Sequence, residues 1–350
     1  MLPVSVAMCC YNSASRLPRV LQHLAEQQIP GELEWEIVVV DNLSTDSTKE
    51  VAQTLWRKMS SVPMRIVEEN KQGAGFARYR GLCEAQYEVI CFVDDDVWLS
   101  PDYLRLASEI MSQHPQVGVL GSLNEGVCEI APPHWYERFH WSYALGPQGE
   151  QASDVTDSRG FVFGAGLVVR KSAWQEIINK TQMKSLLCSG RQGSHVAGAG
   201  EDSEICLILT FAGWRLWYDP RLRLCHFLPA SRLRWGYLCQ LHKGFGSATV
   251  HFDAYYNIEI LPMDLREQHR QKWQYQVFGL IRQLLCSVGR IVLKPSLLKE
   301  GQQHMLDIYH KVGRLSEVLR QRKKYDLTII DIRERFRPFK NARSKEHKQA

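Results

Sequence analysis

Val89-Ile90-Cys91-Phe92-Val93-Asp94-Asp95-Asp96, continued by Val97-Trp98-Leu99-Ser100-Pro101-Asp102, decides how the chain is read. Five apolar residues in a row predict a buried strand, and three carboxylates fall where it ends, ahead of a turn marked by Pro101. Two carboxylates about 5 Å apart at an effective dielectric of about 20 repel by about 3 kcal/mol, so a partly buried acidic triplet calls for a compensating cation. Oxygen donors of this kind suit Mg²⁺ or Mn²⁺, whose remaining positions go to water and substrate phosphates. The competing reading is a solvated acidic loop, because Asp is mostly a surface residue.

Upstream, Val4-Ser5-Val6-Ala7-Met8-Cys9-Cys10 predicts a strand that runs into Tyr11-Asn12-Ser13-Ala14-Ser15, with Leu17, Val20, Leu21 and Leu24 following at helical spacing. Glu36-Ile37-Val38-Val39-Val40 predicts a second strand, ending in Asp41-Asn42-Leu43-Ser44-Thr45-Asp46-Ser47-Thr48, after which Val51, Leu55 and Met59 are again helically spaced. Met64-Arg65-Ile66-Val67 is a third, short strand, and Gly73-Ala74-Gly75 opens a helix carrying Arg78. Short apolar strands alternating with helices predict an α/β fold with a mostly parallel central sheet flanked by helices. Ligands of such sheets bind beyond the carboxyl ends of the strands. Tyr11, Asn12, Asp41, Asp94, Asp95 and Asp96 all fall there, so three loops converge on one rim. Taken singly, Asp41 would be a cap and Tyr11 a packed ring.

Two nucleotide signatures are absent. No GxxxxGK[ST] loop occurs, and Gly73-Ala74-Gly75-Phe76-Ala77-Arg78 puts Arg where a dinucleotide fingerprint needs its third glycine. P-loop and hydride-transfer chemistry are therefore disfavoured.

Beyond the acidic stretch a helix is predicted over 104–114 and a strand at Val117-Gly118-Val119-Leu120-Gly121. Residues 124–160 read as irregular, and their Trp135, Tyr136, Phe139, Trp141 and Tyr143 divide between core and the lip of a sugar-binding cleft. Residues 159–170 read as a glycine-containing strand open to close approach. Gly198-Ala199-Gly200-Glu201-Asp202-Ser203-Glu204 opens a helix. Acids in a first turn complement the helix dipole, and one of them could equally take a proton from an attacking hydroxyl. Trp214-Arg215-Leu216-Trp217-Tyr218-Asp219-Pro220 and Leu222-Arg223-Leu224-Cys225-His226-Phe227 predict two further strands, with His226 either packed or a metal ligand. After 235 the pattern is helical. Residues 275–293 form an amphipathic helix, packed or lying at a membrane interface, and 311–324 a charged one. The division expected is 1–235 as the sheet domain and 236–350 as a helical region with a basic tail.

A chain of 350 residues exceeds one ordinary hydrophobic core, while 45% hydrophobic and 23% charged residues are typical of a globular protein. The net charge of +5 owes much to Arg322, Lys323, Lys324, Arg333, Arg335, Arg337, Lys340, Arg343, Lys345 and Lys348. Such a run reads first as a solvated end, with no nucleic-acid partner expected. Ten cysteines without a CxxC pair, several inside apolar patterns (Cys91, Cys206, Cys239, Cys286), predict free thiols in a reducing compartment. No signal-like start and no uninterrupted apolar run of about 20 residues are seen. A cytoplasmic location is expected, with the basic C-terminal helices in peripheral contact with the inner membrane face.

These features together resemble a family 2 glycosyltransferase of the GT-A fold: the strand ending in Tyr11-Asn12, the strand ending in Asp41-Asn42, the 73–81 segment with Arg78, the Asp94-Asp95-Asp96 motif and Glu201-Asp202 at a helix start. The likeness covers roughly residues 1–230, and Cys9 stands where the family often has Pro. It implies inverting, metal-dependent transfer of a sugar from a nucleotide-diphosphate donor, a UDP-sugar, to a glycan, lipid-linked or other hydroxyl acceptor. By that resemblance Tyr11 and Asp41 would hold the base, with Asn12 beside them. Arg78 with Asp94 or Asp95 would hold the base and ribose side. Asp96, with Asp94 and His226, would hold Mn²⁺ or Mg²⁺, and Asp202 would be the general base with Glu201 beside it. The alternatives are a nucleotidyltransferase, which wants a glycine-rich basic loop that 9–16 lacks, and a non-catalytic nucleotide-sugar- or carbohydrate-binding module.

Overall fold

The computed structural model of the chain describes residues 1–191, 199–256 and 272–346; Gly198 and Lys348 lie outside them, as do the side chains of Lys340, Arg343 and Lys345. β1 (Val4–Cys10) is buried along its length except at Cys9, as an interior parallel strand requires. Ser5, its polar exception, donates to Glu36 at 2.7 Å. α1 (Leu17–Ala25) packs through the predicted Leu17, Val20, Leu21 and Leu24. β2 (Trp35–Asp41) pairs in parallel with β1, so that Asp41 lies opposite Cys10. α2 (Thr48–Met59) buries Thr48, Ala52 and Trp56 instead of the line through Val51, Leu55 and Met59. The large indole decides this rotation, its N–H reaching the Val62 carbonyl at 2.8 Å. β3 (Met64–Glu68), α3 (Ala74–Glu84) and β4 (Val89–Asp94) complete a four-stranded parallel unit.

The chain continues through β5 (Val97–Leu99), α4 (Tyr103–Gln113), β6 (Val117–Cys128), α5 (Tyr136–Phe139), β7 (Ser153–Asp154), β8 (Val168–Arg170), α6 (Lys171–Thr181), α7 (Glu201–Phe211) and β9 (Arg215–Leu228). Among the described residues nine strands form one sheet in the order β3-β2-β1-β4-β8-β6-β9-β5, with β7 on β9. The sheet is mixed beyond β4, since β8 runs antiparallel to both β4 and β6.

Three expectations are corrected. The strand expected over 159–170 is only β8, because backbone amides before it are used by side chains: Phe163 N–H donates to Gln148 and Gly164 N–H to Asp202. The two strands expected around Pro220 are one, β9, whose register against β6 shifts between Gly121 and Leu123, opposite Tyr218 and Arg223. Residues 124–128, read as irregular, extend β6. Of the aromatic residues that follow, Trp135, Tyr136, Phe139 and Tyr143 are core, while Trp141 is exposed.

α8 (Trp235–Tyr256), α9 (Trp273–Leu293), α10 (Gln303–Gln321) and α11 (Tyr325–Glu346) form the C-terminal layer. One apolar cluster joins Ile205, Ile208 and Leu209 of α7 to Tyr255 of α8, Val318 of α10 and Phe336 of α11. α8 and α10 touch backbone to backbone: a methyl group on Gly246 would overlap the His310 carbonyl, and one on Gly313 the Lys243 carbonyl. An 18-residue stretch of α9 has a mean hydropathy of 1.4, and by length and composition the helix could cross a membrane. Arg282 and Arg290 interrupt its apolar run.

Candidate active site

The loops after β1 and β2 are tied together by Asn12, which takes a left-handed φ of 48° and accepts the Thr45 N–H at 2.8 Å. Its side chain thus shapes the rim. Asn42 donates to the Lys71 carbonyl at 2.6 Å and accepts from Gly73 N–H at 2.7 Å, which fixes the start of α3. Asp41 is buried, and its Oδ1 has no hydrogen-bond partner. A buried acceptor without a donor is costly, so a ligand N–H aimed there would be strongly bound.

The acidic triplet is neutralised by three different arginines. Asp94 accepts Arg78 Nη2 at 2.9 and 3.1 Å. Asp95 pairs with Arg16 and accepts the Ser13 hydroxyl. Asp96 lies 2.6 Å from Arg232 Nη2 and 3.4 Å from His226 Nε2. Burial pushes the Asp94 carboxyl up. Burial would do the same to Asp96, but Arg232 and His226 hold it well below the usual carboxylate range. His226 reaches Asp96 because β5 pairs antiparallel with β9, setting Val97 opposite His226. Of the metal set expected from the resemblance, the structure pairs Asp96 with His226 and turns Asp94 to Arg78.

Arg78 is buried beneath the triplet, over the Phe92 ring, with Glu201 Oε1 3.4 Å from its Nε. Gly200 at φ +133° brings the chain into α7 at an angle side chains rarely allow, and a Cβ there would press on Ala248 of α8. Asp202 then accepts Gly164 N–H at 2.9 Å and Ser203 N–H at 2.7 Å. A Cβ on Gly164 would come within 2.8 Å of Asp202 Oδ2, so only glycine lets that carboxylate meet the loop. Burial, reinforced by Glu201, pushes the Asp202 carboxyl up to about 6 despite Arg78. Glu204, fully buried one turn on, accepts Leu187 N–H and Cys188 N–H at 2.7 Å and the Tyr255 hydroxyl at 2.6 Å. It thereby joins α7, α8 and the loop that leads to Arg191.

Tyr11, Arg78, Asp94, Asp95, Asp96, Glu201, Asp202 and His226 all line one cavity of about 500 Å³, whereas Asn12 and Asp41 stand behind its wall. Arg16, Arg191, Arg232 and Glu204 are the members that sequence reasoning missed. For the three arginines the only signal was the triplet's need for positive charge, which named no residue, and Glu204 gave none beyond its place in a helix's first turn. The wall opposite the sheet is formed by Trp141, His242, Phe245 and Phe252. Burial lowers His242 to about 4, so it is neutral at ordinary pH.

Residues 5–178 match the family model described as Glycosyl transferase family 2. The chain is 32% identical over 114 residues to poly(ribitol-phosphate) beta-N-acetylglucosaminyltransferase TarS of Staphylococcus aureus, covering 33% of this chain and 20% of that protein. It is 31% identical over 93 residues to glycosyltransferase AglE of Haloferax volcanii, covering 27% and 30% of the two chains. The match thus spans about a fifth of the staphylococcal relative's length. Among solved structures, S. aureus TarS 1–349 in complex with UDP-GlcNAc has the same fold at 18% identity, with a TM-score of 0.54 over 97% of this chain and 92% of that one. Its layers and sheet are those of the GT-A fold with a C-terminal helical region, and through residues 5–178 the chain belongs to glycosyl transferase family 2.

Proposed function

We propose that this chain is an inverting glycosyltransferase that moves a sugar from a UDP-sugar to a hydroxyl of a glycan acceptor, free or lipid-linked. The observation that carries the reading is Asp202, a carboxylate raised to about 6, in the same cavity as the Asp96–His226 pair. The TarS structure that shares this fold holds UDP-GlcNAc, which favours a UDP-linked donor. Tyr11, which lines the cavity, would face the base.

A divalent metal fits the Asp96–His226 pair. His226 Nδ1 is 2.9 Å from the Tyr143 carbonyl and donates to it, so Nε2, 3.4 Å from Asp96 Oδ1, is the nitrogen that would bind a metal once its proton is given up. Among the described residues no cluster of three or more His, Cys, Asp or Glu could hold a metal, so diphosphate oxygens and water would supply the remaining positions. Bound there, Mn²⁺ or Mg²⁺ would act as a Lewis acid towards the leaving diphosphate.

Asp202 takes the proton of the acceptor hydroxyl as its oxygen bonds to the anomeric carbon. The bond from that carbon to the diphosphate breaks on the opposite face, and the electron pair leaves with the nucleotide. Arg191 and Arg232 set positive charge beside the departing phosphates. A panel of UDP-sugars with Mn²⁺ and a nucleotide-release readout tests the activity. Asp202→Asn should lower turnover by about 10²- to 10⁴-fold and leave UDP affinity within error of wild type. Turnover close to wild type in that variant would remove Asp202 from the role.

A further inference from the structure

Phe278, Ile281, Leu285, Val288 and Val292 recur every three or four positions, so they form one stripe along α9. Each is exposed, from 44% for Ile281 to 74% for Val292. The opposite face is packed: Leu280 and Ser287 are buried, His304 Nε2 meets the Ser287 carbonyl at 3.1 Å, and Lys311 Nζ donates to Ser287 Oγ at 3.1 Å. Contiguous apolar surface of this kind marks a docking face.

The charges beside the stripe discriminate between occupants. Residues 272–299 contain no Asp or Glu, while Lys272, Arg282, Arg290, Lys294 and Lys299 are basic and exposed. The Trp273 N–H donates to Asp326 Oδ1 at 3.4 Å, which sets the start of α9 near the exposed Arg322, Lys323 and Lys324. A second copy meeting the stripe about a two-fold axis would oppose these cations with no acid in the helix to pair them. Anionic lipid headgroups over an acyl layer match both the apolar line and its basic borders.

We infer that α9 lies flat in the interface of an anionic lipid bilayer. Phe278, Leu285 and Val292 enter the acyl boundary, and Arg282, on the flank of the stripe, and the 322–324 turn meet the headgroups. The helix does not span the bilayer, because that would break the Ser287 contacts holding it to the charged α10. A second cavity of about 720 Å³ lies between α9 and α10 and shares Trp141, His242 and His310 with the active-site cavity. The membrane-facing helix is thus also a wall on the way to the chemistry.

Flotation of the full chain with vesicles of phosphatidylcholine, alone or in equal mixture with phosphatidylglycerol, tests this. The chain should bind the mixed vesicles about tenfold or more tightly than the neutral ones, with the difference shrinking in high salt. Phe278→Ser/Leu285→Ser should abolish flotation, and Lys323→Glu/Lys324→Glu should weaken it by about tenfold, both with a wild-type thermal melt. If the first pair lowers the melt, Val292→Ser at the far end of the helix replaces it and should also weaken flotation. Failure of the wild-type chain to float, or flotation unchanged by the serine variants, overturns the inference. So does a dimer in sedimentation equilibrium that the serine variants dissolve, which would make a second copy the occupant.

Discussion

Asp202 owes its raised pKa first to burial and second to Glu201, so its protonation should be visible in the pH dependence of turnover. If Asp202 is the base proposed above, it must be ionised to act, so kcat should fall as pH drops through about 6 and level off above it. Glu201→Gln removes the neighbouring negative charge and should move that acidic limb to lower pH. A limb that stays in place would mean Glu201 does not raise Asp202. At this scale the sequence was informative where strand ends set the geometry. Tyr11 and Asp94 to Asp96 reach one cavity because they follow the carboxyl ends of parallel strands, and His226 joins them through the antiparallel pairing of β5 with β9. Arg232 and Arg191 were illegible for the opposite reason. They come from irregular segments whose course no periodicity encodes, and the Asp96–Arg232 pair exists only after residues 136 positions apart in sequence have met, as the numbers 96 and 232 require.

Among the elements, α3 carries Arg78 and α7 carries Glu201 and Asp202, and α8 closes the cavity over them. Their mutual spacing depends on the glycine contact between α8 and α10. Gly313→Ala should force the helices apart at the cost of about 1–3 kcal/mol, read as a lower denaturant midpoint, because the obstructing atoms are backbone and cannot rotate away. The strands β1, β2 and β4 were legible as near-continuous apolar runs bounded by polar loops. Residues 159–167 misled because alternating glycine and hydrophobic residues look like a strand from either side of the question. Side chains of Gln148 and Asp202, distant in sequence, take the amides a neighbouring strand would have used. Likewise Pro220 reads as a strand breaker, yet β9 absorbs it at a register shift.

For the molecule as a whole, the apolar cluster beneath α7 is completed by Tyr255, Val318 and Phe336 from the C-terminal layer. Ending the chain at residue 234 would bare Ile205, Ile208 and Leu209 and remove Leu241, His242, Phe245 and Phe252 from the cavity wall. Such a truncation should be insoluble or lack a cooperative melt when expressed beside the full chain. A soluble, cooperatively melting 1–234 product would show that the sheet domain stands by itself. The family likeness read from sequence stopped near residue 230, so nothing in the motifs foretold that the later helices help to build the cavity.

The guanidinium of Arg232 on Asp96 has a consequence for the order of events at the donor site. A protein whose acidic loop is already balanced by its own cations does not rely on an external ion to stay folded, so chelation with EDTA should leave its melting temperature where it was. On the proposed function, a Mn²⁺ at Asp96 would have to displace the Arg232 guanidinium, and a bound diphosphate would receive that positive charge. Calorimetric titration should then find Mn²⁺ binding weak in the free protein and markedly tighter in the presence of UDP.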